Sequence, residues 1–135
     1  MTVHTIATTT HGRYLVEAAA GGAIGVLVGF HGQAETAAIE LDHLRAIRGD
    51  RPWTLVSVQA LNRHYTRKGD VVASWMTRED RELAIADNLA YVAASLDQVP
   101  AMRRDRDGVD GHRSRSNMRE NLTVKDRSVR SGRFG

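Results

Sequence analysis

The residues whose spacing most clearly suggests chemistry are His31, Gly32 and Gln33, which directly follow an apolar run at residues 23–30. Glycine lets the backbone turn sharply because it has no Cβ atom. A backbone N–H in such a turn can donate to the oxyanion that develops during acyl transfer. His31, Gly32 and Gln33 are therefore candidates for one half of an oxyanion hole, in which Gln33 would offer the N–H group, although a His-Gly pair alone is a weak signal. A second His-Gly pair at residues 11–12 indicates only a hairpin turn.

The side chain of His31 has two interpretations. It is either a turn histidine packed beside the strand or a group that transfers protons. Glu35 stands four residues further along, which would suit a metal ligand, but no third ligand follows at a helical or hairpin spacing. The sequence therefore predicts no metal site, and we expect no cofactor.

Two aromatic residues, Tyr65 and Trp75, are candidates for the wall of a substrate pocket. Tyr65 follows His64 in a polar stretch, residues 62–70, that contains several basic side chains. This stretch either contacts an anionic substrate or is a solvated loop. Trp75 is either a pocket wall or an ordinary core residue.

A nucleophile is missing from the sequence. Serine hydrolases present their nucleophile in a Gly-x-Ser-x-Gly turn between a strand and a helix. The chain has serines at positions 57, 74, 95, 114, 116, 128 and 131, and none has glycine two positions earlier. We therefore assign no nucleophile, and no acid or base of a catalytic triad.

The elements that would position these residues alternate between strands and helices. Strands are predicted at residues 3–8, 14–18, 23–30 and 53–58, and helices at 36–48 and 77–97. The first two strands would form a hairpin. The second helix would begin with a capping box at Thr77 and Asp80 and bury a stripe made of Ile85, Leu89, Val92 and Leu96. This order predicts an α/β fold with a parallel sheet covered by helices.

The composition changes near residue 100. Residues 1–100 carry a net charge of −2, whereas residues 101–135 carry +5 and only one aromatic residue. We expect a folded domain over 1–100 and a disordered basic tail over 101–135, because the tail has too little apolar surface to offset its ordering entropy. Such an abrupt change is typical of a frameshift in the coding sequence. Alternatively, the tail belongs to a non-catalytic protein and binds an acidic partner, although its interspersed acidic residues and lack of aromatics argue against nucleic acid.

The chain contains no cysteine, which excludes disulfides and thiolate metal sites. Its start does not resemble a signal peptide, and its longest apolar stretch is shorter than the roughly 20 residues that span a bilayer. We expect a soluble cytoplasmic protein with no membrane partner.

Three segments, VLVGFHGQAET, PWTLVSVQAL and SWMTREDRELAIADNLAYV, together resemble the phospholipase/carboxylesterase branch of the α/β-hydrolase family over residues 20–97. In that branch an apolar strand ending in His-Gly is followed by a helix, a strand, a Ser-Trp-aromatic-Asp-like stretch and an acidic-start helix. Met76 and Thr77 stand where the aromatic residue and Asp are more usual.

The resemblance implies a serine hydrolase that acts on small carboxylic esters, with the N–H of Gln33 as an oxyanion donor. It also implies that the strand at 23–30 lies between the strand at 53–58 and the strand that carries the nucleophile. Because that strand and the triad are missing from the sequence, we expect a truncated, inactive chain with an incomplete sheet. The strand at 23–30 would then have an open edge that promotes self-association.

Overall fold

The computed structural model describes residues 1–100, residue 102 and the backbone of residues 122–126. Its elements are β1 (Arg13–Glu17), β2 (Gly25–Phe30), α1 (Ala37–Arg48), β3 (Trp53–Gln59), β4 (Asn62–Tyr65), β5 (Val71–Ser74), α2 (Arg81–Asp97) and β6 (Leu122–Asp126). A four-stranded sheet has the order β1-β3-β2-β6, and β4 and β5 form a separate two-stranded sheet. β1 is antiparallel to β3, whereas β2 is parallel to both β3 and β6. The predicted α/β class is confirmed.

Helices cover both faces of the sheet. On the face of α1, a buried cluster joins both central strands to the helix through Leu27, Leu41, Leu44 and Leu55. On the other face, the α2 segment covers a cluster formed by Val28, Val56, Val58 and Val99. Burying each such side chain stabilises the fold by roughly 1.5–3 kcal/mol. The apolar run of β2 is therefore explained by burial on both faces, as predicted.

Helix α1 matches the predicted segment closely. Thr36 is its N-cap, and the Thr36 side-chain oxygen accepts a hydrogen bond from the Ile39 N–H. Gly49 ends the helix with a positive φ of 54° and donates its N–H to the carbonyl of Arg45. Glycine adopts this left-handed region without steric strain, which explains the sharp end of the helix.

The start of α2 differs from the prediction. Thr77 accepts a hydrogen bond from the Glu79 N–H in a local turn, and the Asp80 side chain makes no capping hydrogen bond. The predicted capping box is therefore wrong, because Asp80 has left-handed backbone angles, with φ at 49°. Val92 and Leu96 pack toward the sheet as expected, but Leu89 is 68% exposed.

Two predictions for the N-terminal half also require correction. Residues 1–12 contain no regular structure, so the predicted strand at 3–8 and the hairpin turn at His11-Gly12 are not formed. The Arg63 side chain donates to the His11 carbonyl, and a side chain at Gly12 would overlap the Tyr91 ring. These contacts hold residues 11 and 12 against β4 and α2. The stretch expected to be a polar loop at 62–70 begins as strand β4.

Strand β6 covers the edge of β2 that we expected from the sequence to be open. Five residues of the predicted tail pair with β2 in parallel, with Val28 opposite Val124. Two predictions are therefore wrong: β2 is paired on both sides rather than open on one, and the segment 101–135 contains a strand. The predicted disorder of residues 103–121 and 127–135 lies outside the described residues. In the described part of the chain, neither helix has the length and apolar character needed to cross a membrane.

Candidate functional site

The loop at residues 31–35 joins the carboxyl end of β2 to the N-terminus of α1. In open α/β sheets, ligands bind in the crevice at the carboxyl ends of the parallel strands. The adjacent N-terminus of α1 also brings the positive end of a helix dipole to this edge. The sequence motif therefore lies where this architecture places binding sites.

His31 is a structural part of the loop. Its side chain is buried, and its Nε2 accepts a hydrogen bond of 3.0 Å from the Ala60 N–H. The opposite ring nitrogen, Nδ1, lies 2.7 Å from the Gly32 carbonyl oxygen and donates to it. Nε2 thus fixes the loop to the residue after β3, and Nδ1 holds the turn within the loop, which fits the turn-histidine interpretation.

Three consecutive backbone N–H groups in the loop differ in their availability. The Gly32 N–H donates to Glu35 Oε2 at 2.8 Å, and the Ala34 N–H donates to the Ala73 carbonyl at 3.0 Å. Ala73 in turn donates its N–H to the Glu35 carbonyl at 2.9 Å, which fastens the loop to β5. Within the described residues, the Gln33 N–H has no acceptor, and Gln33 is exposed.

Of the N–H groups of Gly32, Gln33 and Ala34, that of Gln33 is therefore the one free to bind a ligand in the described part of the chain. The Gly32 N–H is occupied by the carboxylate of Glu35. Ala34 adopts a positive φ of 57°, which is unusual for a residue with a Cβ atom. The hydrogen bonds of the Gly32 and Ala34 N–H groups, on either side of Gln33, offset the cost of this backbone conformation and fix the path of the chain.

The base of α1 is tied to β3 by two buried polar side chains. Ser57 donates its hydroxyl to the Ala37 carbonyl at 2.8 Å, and Gln59 Oε1 accepts from the Ala37 N–H at 3.4 Å. Because Ala37 opens the helix directly after the loop, these contacts also fix the position of the loop. Neither Ser57 nor Gln59 was identified from the sequence.

Trp75 lies against the loop. Its indole N–H donates to the His31 carbonyl at 3.0 Å, and its ring centroid is 5.6 Å from both the Phe30 and the His31 rings. The Asn88 side chain donates to the Trp75 carbonyl at 2.7 Å, which connects the site to α2. The half-buried indole therefore both packs in the core and borders the loop.

Tyr65 is not brought to the loop in the same way. It is 76% exposed and pairs with Val71 at the far end of the β4–β5 hairpin, whereas Ser74, next to Trp75, pairs with Asn62. Three residues of strand separate the two ends, which corresponds to about 10 Å. The structure therefore separates the two predicted pocket-wall residues.

A buried carboxyl group lies close to the site on α1. Glu40 is fully buried, its Oε2 is 3.3 Å from His43 Nδ1, and its Oε1 has no hydrogen-bond partner. The side chain fits over Gly29, where an added Cβ would lie 2.6 Å from Oε1. The sequence offered a weak signal for this contact, namely a glycine within an otherwise large apolar strand.

Two further features, a surface depression and a half-buried tyrosine, lie outside residues 31–35. A depression of about 520 Å³ is lined by residues 46–51 at the C-terminal end of α1, a helix about 18 Å long. Burial raises the pKa of Tyr91, whose hydroxyl lies 2.8 Å from the Arg13 carbonyl and 3.0 Å from that of Gln59.

Among the described residues, no group of three or more His, Asp or Glu side chains could hold a metal ion.

Comparisons with models of protein families, with curated protein sequences and with solved structures returned no match to this chain.

Proposed function

We propose that this chain carries the oxyanion-loop portion of an α/β-hydrolase-type domain whose complete form hydrolyses small carboxylic esters. The observation that carries the proposal is the unengaged N–H of Gln33, held between two hydrogen-bonded neighbours at the carboxyl end of β2. A donor fixed in this way needs no reorganisation when negative charge develops on an acyl oxygen.

The order of the strands supports this proposal. In the hydrolase family that the sequence resembles, the strand before the His-Gly loop lies between its successor in the chain and the strand that carries the nucleophile. Here β2 lies between β3 and β6. In this proposal β6 is the counterpart of the nucleophile-bearing strand, although Gly-x-Ser-x-Gly does not follow it in the sequence.

The proposed chemistry assigns distinct roles to the residues around the loop. Gln33 would donate its N–H to the oxyanion, and the Trp75 indole would border the bound acyl group. Glu35 and His31 would hold the loop in shape. Loss of one oxyanion donor typically costs about 2.7–4 kcal/mol of transition-state stabilisation. With one donor and no assigned nucleophile, acid or base, this chain by itself would not turn over esters.

Labelling with a fluorophosphonate probe tests whether the chain is inactive. We expect the purified full chain to remain unlabelled in intact-mass measurements. Ser128 is the first serine after β6, with Asp126 and Arg130 at the two positions where the hydrolase motif has glycine. Stoichiometric labelling that disappears in Ser128→Ala would overturn the absence of a nucleophile.

The coding DNA separately tests the frameshift explanation for the missing nucleophile. If residues from about 100 onward result from a frameshift, another reading frame beyond codon 100 should encode an apolar strand followed by Gly-x-Ser-x-Gly. If neither alternative frame contains such a segment, the frameshift explanation fails.

The charge of residues 101–135 favours a second candidate function, a non-catalytic domain that binds an acidic partner. The net charge of this segment is +5. Binding to a polyanion such as heparin should then weaken steeply with salt, and neutralising the arginines of this segment should abolish it. Binding that does not change with salt would exclude this function.

A further inference from the structure

The N-terminal arm, defined here as residues 1–10, has the composition of a strand but lies in solvent. Val3 is 74% exposed and Ile6 is 91% exposed. Valine, isoleucine and threonine dominate residues 3–9, and these residue types favour strands. In the described part of the chain, no strand pairs with the arm.

Strand β1 offers an edge to which a strand could be added. It is the outer strand of the four-stranded sheet and pairs through one side with β3. Its other side presents backbone N–H and C=O groups without a neighbouring strand among the described residues. Val16 in this strand is 45% exposed. An edge of this kind readily pairs with an extended segment from another chain.

Contacts at the base of the arm keep it from folding back onto its own β1. Arg63 Nη2 donates to the His11 carbonyl at 2.8 Å, and the Tyr91 hydroxyl donates to the Arg13 carbonyl at the same distance. Gly12 lies so close to the Tyr91 ring that a side chain there would overlap it. A hairpin would have to reverse the chain within residues 9–12, where no turn is formed and where the contacts of His11 and Gly12 hold the backbone.

We propose that residues 3–8 of one copy add as a strand to the open edge of β1 in a second copy. Reciprocal exchange would form a two-fold dimer in which each arm fills the edge of the other subunit. Such an interface is self-complementary, as closed dimers require. The exchange would pair the backbone groups of β1 and bury Ile6, while the contacts of Arg63 and Tyr91 remain in place. This inference goes beyond the proposed function and depends on different residues.

Sedimentation equilibrium of the full chain over a wide range of concentrations tests the dimer. Ile6→Asp should weaken dimerisation by about a hundredfold, because the loss of one buried isoleucine contact is worth roughly tenfold and occurs twice per dimer. The matched control, Thr10→Asp, adds the same charge to the arm outside the pairing segment and should leave the dimer unchanged. Both residues are exposed, so circular dichroism should show an unaltered fold. A chain that stays monomeric at all concentrations would overturn the proposal, as would equal effects of the two variants.

Disulfide trapping distinguishes exchange between copies from a hairpin within one copy, because the natural chain has no cysteine. One variant carries Val16→Cys, and a second set carries a cysteine in turn at residues 4, 5, 6 and 7. Mixing the two should yield a disulfide-linked pair of chains under mild oxidation. If a chain with both cysteines instead forms an internal disulfide as a monomer, the arm pairs with its own β1 and the proposal is wrong.

Discussion

Replacing His31 with phenylalanine tests whether this residue is a structural part of the loop. Phenylalanine retains a ring for packing against Trp75 but removes both hydrogen bonds of the imidazole. Ala60 is 1% exposed, so its N–H would lose its acceptor without access to water. An unsatisfied buried donor costs about 1–3 kcal/mol, and the lost bond to the half-exposed Gly32 carbonyl adds about 0.5–1.5 kcal/mol. We expect a loss of about 1.5–4.5 kcal/mol in the free energy of unfolding.

Urea denaturation followed by far-ultraviolet circular dichroism measures this loss. A change of this size is large for a domain whose total stability is about 5–15 kcal/mol. His64→Phe is the matched control, since His64 is exposed on β4 and its replacement should change stability by less than about 0.5 kcal/mol. The amide of Ala60 should also exchange faster with solvent in His31→Phe. If His31→Phe is as stable as His64→Phe, the two hydrogen bonds do not hold the loop.

Two further variants test the sheet and its contact with α1. Gly29→Ala should lower the free energy of unfolding by about 1–3 kcal/mol, because the new Cβ would lie 2.6 Å from Glu40 Oε1. Adding Glu40→Ala should recover part of the loss. If urea denaturation shows that Gly29→Ala is as stable as the natural chain, this packing is contradicted. The Arg45 guanidinium, 2.6 Å from the Glu17 carboxylate, lowers the pKa of Glu17 below its ordinary value, and Arg48 contributes to this effect. The resulting stabilisation is present above the pKa that Glu17 has in the unfolded chain and is lost as pH falls through its lower pKa in the folded chain. Glu17→Gln should therefore flatten the acid side of a plot of unfolding free energy against pH. Identical slopes for the variant and the natural chain would refute this prediction.

Much of the central architecture could be predicted because it depends on local pattern. The apolar run before His31, the stripe of α1 and the β-branched residues of β3 each identify an element without knowledge of the rest of the chain. Strand β4 could not be found in this way, since its four residues are all exposed and polar or amphipathic. Strand β6 is a five-residue strand bounded by charged sequence, and pairing with β2 rather than its own composition defines it.

The candidate site was located by its His-Gly motif, but its geometry was not predictable. Which N–H group remains free depends on the Ala73 carbonyl, 39 residues beyond Ala34, and on the side chain of Glu35. Similarly, the role of His31 depends on the N–H of Ala60, which only the parallel pairing of β2 and β3 brings close. Contacts between distant segments leave no local signal in the sequence.

Amide hydrogen exchange of the loop, measured residue by residue by NMR, most directly tests whether Gln33 provides a free donor in a fixed loop. The Gly32 and Ala34 N–H groups are hydrogen-bonded and should exchange slowly, whereas the Gln33 N–H should exchange close to the rate of an unprotected amide. Glu35→Gln, which retains an acceptor without the charge, should accelerate exchange at Gly32 more than at Ala34. Equal exchange rates at all three amides, or strongest protection at Gln33, would contradict the proposed oxyanion donor.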